Sequence, residues 1–300
     1  MIPYFDAHCD TVTAVLERGG SLLRNGYQLD LERLGEYRPA AQVFAVWGGR
    51  YDEKVGLLRS ELKRSGIGRL CRSVAELRQT AAEGKLAALL SLEGMEQFDC
   101  DTERLRRARE EDGLIMVNLC WNSDNALCGS AMDGGGGLTA RGREFVREAQ
   151  GMGVAVDLSH ASERAFWDTL EVSTKPVLAS HSDSAALCSI YPRNLTDAQF
   201  AALAKQGGGA GINIYPDFLG LTRDTDAVCA HVERFLSLGG ERAVFIGADL
   251  DGIDDTPRDI AGAQDMGRLY EALLRRGYPE SLVRDIFWNN LVDILERATT

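Results

Sequence analysis

Two of the chain's four histidines close successive stretches of a single unit. His160 ends GVAVDLSH and His181 ends PVLASH, and between them residues 163–169 carry the Ala, Phe and Trp spacing of a short helix. Each imidazole follows a short run of β-forming apolar residues, 154–158 and 176–179, so the unit reads strand, helix, strand with a histidine at the carboxyl end of each strand. In parallel α/β folds ligands gather at those ends, which turns both imidazoles toward one mouth. A lone strand-end histidine is ordinarily a hydrogen-bonded core residue, but two in succession favour a metal site.

Further polar residues follow the same rule. The apolar run 2–7 ends in His8-Cys9-Asp10, and alternate residues of an extended chain share a face, so His8 and Asp10 form a two-ligand clip. The run 86–92 delivers Glu93-Gly94, and 243–248 delivers Asp249-Leu250-Asp251-Gly252. Taken alone, Glu93 serves equally well as a helix-start carboxylate or as a site residue. His231 lies in the middle of an amphipathic helix, 224–238, where a structural role is expected. Imidazoles combined with carboxylates suit Zn²⁺, Mn²⁺ or Fe²⁺ rather than Mg²⁺ or Ca²⁺. Five ligands (His8, Asp10, Glu93, His160, His181) exceed the roughly three that one catalytic zinc takes from protein. Two metals about 3.5–4 Å apart with a shared carboxylate would use all five, hold a hydroxide between them and polarise a carbonyl. Such a centre hydrolyses amides or esters. No Gly-x-Ser-x-Gly elbow supports a serine nucleophile.

Eight strand candidates, at 2–7, 41–46, 86–92, 113–119, 154–158, 176–179, 208–214 and 243–248, must position these groups. Helical segments separate them, at 11–18, 52–64, 73–83, 102–109, 138–152, 163–169, 182–187, 196–205 and 224–238, and 283–298 closes the chain. Residues 191–194 read as a turn, and the glycine-rich stretch 125–137 as a flexible connector without the Lys-Ser/Thr ending of a phosphate loop. Alternation of this kind, without linkers or repeats, predicts one domain over 1–300, a single (β/α)8 TIM-type barrel with its metal site at the carboxyl ends of the strands. An open doubly wound sheet lacks its Gly-x-Gly-x-x-Gly after the first strand.

Bulk composition narrows the function. The chain is 45% apolar, and 45 acids against 33 bases give a net charge of −12, which argues against phosphate backbones and anionic membranes as partners. Seven scattered cysteines never spaced Cys-x-x-Cys fit reduced thiols. The opening MIPYFDAHCD lacks the basic and apolar regions of a signal peptide. No run approaches the roughly 20 apolar residues of a membrane span. A soluble cytoplasmic protein is expected.

HCDT, SLEG, GLTARGREFV, VDLSHAS, SHSDS, PRNLTD and GADLDGI occur in this order, and together they resemble the membrane (renal-type) dipeptidases and their bacterial relatives across residues 4–295. The resemblance implies a zinc-dependent dipeptidase on a (β/α)8 barrel, with two Zn²⁺ per chain and a homodimeric assembly. Residue by residue it implies that His8, Asp10 and Glu93 hold one zinc and that Glu93, His160 and His181 hold the other. Arg193 would pair with the carboxylate of a small dipeptide substrate. Asp249 would sit by the bridging water and the free amine, with Asp251 as its rival, and Tyr215 would contact substrate. D-configured C-terminal residues would be accepted. The family's oxyanion-stabilising histidine is matched here by Trp121; losing one such donor costs around 10²-fold unless Asn118 or Asn122 substitutes. Two other readings compete: a binuclear zinc amidohydrolase for another small amide, with Trp121 reshaping the pocket, and a metal-bound sensor without turnover.

Overall fold

The computed structural model describes residues 1–220 and 222–300. Its nine strands, all parallel, are β1 (Tyr4–Cys9), β2 (Ala40–Val46), β3 (Gly68–Leu70), β4 (Leu86–Leu92), β5 (Met116–Asn118), β6 (Ala155–Asp157), β7 (Leu178–Ala179), β8 (Gly209–Ile212) and β9 (Val244–Ile246). Pairing runs β2-β1-β9-β8-β7-β6-β5-β4, and β2 with β4 closes the ring. The eight strands of that ring correspond to the eight apolar runs of the sequence, and the fold is the expected (β/α)8 barrel. β3 is an addition, paired to the first residues of β4 below the point where β5 joins at Ser91 and Leu92.

Strands buried on both faces explain why the sequence shows unbroken apolar runs rather than alternation. Along β4 the residues divide between two clusters: Ala88, Leu90 and Leu92 face the helices, whereas Ala87 and Leu89 share a lumen cluster with Phe5, Ala7, Val43, Met116, Ala155, Leu178 and Phe245. Leu291, Ile294 and Leu295 of the final helix Asn290–Thr299 pack into that cluster. Ser91 and Glu93 continue the lumen row upward, which is how Glu93 comes to face the mouth.

The helices start where capping residues stand. Ser73, Thr139, Ser162 and Asp224 each accept a backbone N–H of the first turn, and Thr196 forms a full capping box with Gln199. The expected helix over 182–187 does not form. Ser182 N–H donates to the Gly211 carbonyl and Ala185 N–H to that of Leu195, and Ser184 bridges Leu195 in parallel. With those groups spent on neighbouring strands and loops, only a single turn remains, in which the Ser184 carbonyl accepts from Leu187 and Cys188 N–H. The segment expected to be helical over 102–109 ends at Arg107 and passes into a wide turn, Ala108–Asp112. The 125–137 loop is tied down: Asp124 Oδ1 accepts from Ser130 and Gly134 N–H at 2.7 and 3.2 Å.

β1 carries an irregularity that matters for function. Asp6 lies opposite Gln42, yet Cys9 lies opposite Phe44, so three steps on β1 match two on β2. The extra residue is a bulge, a device that re-aims side chains at barrel rims. Phe5 and Ala7 face the lumen, so strict alternation would turn His8 out among the helices. The bulge turns it inward. Asp6 pins the distortion: its carboxylate accepts the His8 N–H at 3.1 Å, the Ala248 N–H at 2.9 Å and the Tyr4 hydroxyl at 2.6 Å.

Candidate metal centre

Six side chains meet at the carboxyl end of the barrel. His8 Nε2 lies 3.3 Å from Asp10 Oδ2, 3.6 Å from Glu93 Oε2 and 3.8 Å from Asp249 Oδ1. Glu93 Oε1 lies 2.8 Å from His160 Nε2 and 3.7 Å from His181 Nε2. The two oxygens of Glu93 thus face separate imidazole groups, the disposition of a bridging carboxylate. All six residues are buried. Ligand-competent atoms of Glu93, His160 and His181 fall within one 4.8 Å group, and those of His8, Asp10 and Asp249 within another. A third group joins His8, Asp157 and His181, but Asp157 is engaged elsewhere: Oδ1 accepts from Ser159 N–H, Ser159 Oγ and Ser180 N–H, and Oδ2 from Ser180 Oγ.

The hydrogen bonds behind the imidazoles fix their tautomers. His160 Nδ1 meets Asn122 Oδ1, an acceptor, at 2.9 Å, so Nδ1 carries the proton and Nε2 a lone pair. The Ser180 hydroxyl donates to Asp157 Oδ2, so it accepts from His181 Nδ1 at 2.7 Å and leaves a lone pair on that Nε2 as well. The two Nε2 atoms stand 3.1 Å apart, beside a carboxylate oxygen, with only Arg193 Nη2 donating into the group at 3.2 Å. His8 Nδ1 and Nε2 and Asp10 Oδ1 are buried without any hydrogen-bond partner. Converging lone pairs and orphaned acceptors are the donor set a cation requires, and mixed imidazole and carboxylate ligands suit zinc-like metals.

The carboxylates are poised differently. Burial works to raise Glu93, yet His8 and His160 beside it draw it well below the usual carboxylate range. Burial and the Glu93 charge push Asp10 up to about 6. Burial, with help from Asp10 and Glu93 and against the pull of His8, pushes Asp249 up to about 7. Burial works to depress His8, but Glu93 and Asp10 hold it well above its ordinary value. Burial first, and Arg193 next, lower His160 to about 4; burial and the His8 charge hold His181 well down. A carboxyl near neutrality inside a cluster of metal-ligating groups has the acidity of a proton shuttle.

Asp249 and Asp251 both adopt left-handed backbone, φ 63° and 67°, a region that aspartate enters more readily than most side chains. Their side chains diverge. Asp249 Oδ2 accepts from Asn213 Nδ2 at 3.0 Å while Oδ1 faces His8. Asp251 turns to Thr11 Oγ1 at 2.5 Å and Gln28 N–H at 2.7 Å, tying loops together. Between them and Asp10 the backbone is so close that a Cβ on Gly252 would stand 2.4 Å from Asp10 Oδ2 and from Asp249 Oδ1.

Above the cluster lies a cavity of about 430 Å³, lined by Asp10, Glu93, His160, Asp249, Arg193 and Tyr215 among others. Arg193 is 5% exposed; its Nη1 has no partner and no carboxylate lies within ion-pair distance among the described residues. Its guanidinium lies 5.7 Å from the Phe218 ring, which packs edge-on to Tyr215. Trp121 lines the same cavity, whereas Asn122 is committed to His160, and Asn118 is fully buried with neither amide atom bonded. His231 sits away from the cluster, accepting from Ser184 N–H at 3.0 Å and donating to the Leu219 carbonyl at 3.1 Å.

Sequence reasoning overlooked Asp6, Asp157, Trp47 and Glu96. A carboxylate inside an apolar strand run is the signal that could have found the first two; Trp47 sits in a loop and Glu96 in the short 3-10 turn Met95–Phe98, neither of which carries a periodicity.

Comparison with known proteins agrees with this geometry. The sequence profile described as membrane dipeptidase (peptidase family M19) matches residues 1–300. An uncharacterised protein encoded in the pqqA 5′ region of Klebsiella pneumoniae is 31% identical over 277 residues, 87% of this chain and 98% of its own length. The crystal structure of a metallo peptidase from Rhodobacter sphaeroides, liganded with a phosphinate mimic of the dipeptide L-Ala-D-Ala, superposes with a TM-score of 0.84 at 26% identity, covering 99% of each chain. That of dipeptidase AC, an M19 metallo peptidase, gives 0.85 at 27% identity and the same coverage.

Proposed function

The chain belongs to the membrane dipeptidase family, peptidase family M19, and on that premise we propose that it hydrolyses the peptide bond of small dipeptides with two zinc ions. His8 and Asp10 would hold one ion, His160 and His181 the other, with Glu93 between them. When bound, the ions supply Lewis acidity and lower the pKa of water so that it attacks at neutral pH.

One observation carries the substrate assignment. Arg193 is a buried cation without an acidic partner among the described residues, opening on a cavity of about 430 Å³ whose lining includes six carboxylates. A buried unpaired guanidinium is costly unless an anion arrives to match it, and a planar fork suits a carboxylate. Asp249, across the cluster, would receive the substrate's amine or return a proton to the leaving nitrogen. Reading both termini by charge limits the substrate to two residues, because a longer peptide moves one charge out of register. Neither anchor grips the C-terminal side chain, so D-residues are admitted, in keeping with the L-Ala-D-Ala mimic held by the Rhodobacter structure.

The test is amino-acid release from a panel of dipeptides, including Xaa–D-Xaa, beside tripeptides and N-acyl amino acids, with zinc-loaded protein and a chelated control. Zinc-dependent cleavage confined to dipeptides is expected. Cleavage of N-acyl amides instead, by protein holding two metals, would replace this reading with that of an amidohydrolase.

A further inference from the structure

The cavity has two unlike walls. The groups assigned to the substrate termini, Arg193 and Asp249, lie along the β7–β9 arc with Tyr215 and Phe218 between them. Across from them, on the β2–β5 arc, stand two indoles. Trp47 follows β2 and Trp121 follows β5, with ring centroids 4.7 Å apart and planes tilted 55°. The Trp121 ring is 6.3 Å from that of His160, and Met132 extends the apolar surface outward.

The backbone that presents each indole is held from behind. The Trp47 carbonyl accepts from the buried Lys54 ammonium and from Thr13 Oγ1 at 3.5 Å. The Trp121 backbone N–H donates to Glu96 Oε1 at 3.1 Å, and its backbone carbonyl accepts from Ser130 Oγ at 2.8 Å. Glu96 also takes Asn125 Nδ2 at 2.9 Å, fixing the loop that presents Trp121. A wall ordered before substrate arrives loses little freedom on binding. Neither indole has a part in holding the metals or the substrate termini.

We propose that Trp47 and Trp121 form the side-chain subsite, selecting dipeptides with a large apolar or aromatic residue over those built from glycine, alanine or acidic residues. With the backbone anchored on the β7–β9 arc, side chains project across the cavity onto the indoles. Acidic side chains are disfavoured by Glu17 and Asp254 at the rim. Transferring a leucine or phenylalanine side chain from water to such a surface is worth about ten- to a hundred-fold in kcat/KM over alanine. This inference rests on the dipeptidase reading.

The experiment compares kcat/KM for Ala-Ala, Leu-Leu, Phe-Phe and Glu-Glu in the native protein, in Trp121→Ala and in Trp47→Ala. The native Phe-over-Ala ratio should lie between ten and a hundred (about the burial value above), and each variant should bring it toward one. Binding gives a second readout independent of turnover: phosphinate dipeptide mimics with Phe or Ala side chains are titrated by tryptophan fluorescence. Trp167 on the helix Glu163–Val172 and Trp288 in a separate cleft supply a constant background. A native ratio at or below one, or a ratio unchanged in both variants, overturns the subsite and leaves the dipeptidase reading standing. Failure of the zinc-loaded protein to cleave any dipeptide removes both.

Discussion

Replacing Arg193 by Met separates a binding cation from a structural one, because the two roles predict opposite signs. The guanidinium is 5% exposed, stands over Phe218, and has no carboxylate partner among the described residues. Methionine fills comparable space along the apolar stem without the charge. For the substrate, at an effective dielectric of about 20 and a charge separation of about 4 Å, the lost attraction is about 4 kcal/mol. At about 1.4 kcal/mol per decade, that lowers kcat/KM about a thousand-fold. For the fold the change removes a desolvated, unpaired charge, so stability should hold or rise. The assay pairs steady-state hydrolysis of a free dipeptide and its C-terminal amide with urea unfolding of the metal-free protein. The free dipeptide should lose about three decades and the amide, already lacking the charge, far less. Equal losses on both substrates, or a fold weakened by more than about 2 kcal/mol, would refute the reasoning.

Other perturbations probe the support beneath the site. Asp157→Asn places an amide where Ser180 now donates; the hydroxyl must then turn toward His181 Nδ1, moving that proton to Nε2, and zinc affinity measured by competition with a chromophoric chelator should fall about 10–100-fold. Unchanged affinity would show that Asp157 does not set the tautomer. Gly252→Ala would set a methyl 2.4 Å from Asp10 and Asp249; metal content by mass spectrometry should drop while the far-UV spectrum persists, and full occupancy would mean the loop yields freely. His231 tests the pH dependence of stability away from the metals. Burial lowers it to about 4, so below pH 6.5 the unfolded chain gains a proton that the folded one refuses. Stability is then lost as pH falls from about 6.5 to about 4, by about 2 kcal/mol at pH 5. His231→Asn should show a correspondingly shallower decline in urea unfolding between pH 7 and 5; identical slopes would place the buried proton elsewhere.

The barrel was legible because parallel strands sealed on both faces write continuous apolar runs, and the site because five of the eight runs deliver a histidine or carboxylate at their ends. The same sealing hid the rest. With both faces apolar, no alternation tells lumen from helix side, so nothing in YFDAHCD announces that an extra residue turns His8 inward. Asp6 and Asp157 act through backbone and hydroxyl groups rather than on the centre itself, and their partners are distant: Ala248 for one, Ser180 for the other. Ser182–Ser184 carried helical spacing but found better partners in Gly211 and Leu195. Trp47 was invisible as a wall because cavity walls come from loops that converge only after the barrel closes.

The Asp6 contact also bears on how the protein comes into being. Its carboxylate accepts the nearby His8 amide and also the Ala248 amide, 242 positions from Asp6 along the chain. Closing so long a loop early is entropically costly, and contacts of such separation form late. On the ribosome, His8 leaves the exit tunnel first among the six clustered residues, and the Ala248 bond to Asp6 can form only after β9 has been made. A nascent chain stopped before Ala248 would carry all five candidate ligands and still lack a centre. The finished mouth thus joins a carboxylate made among the first residues to an amide made among the last strands.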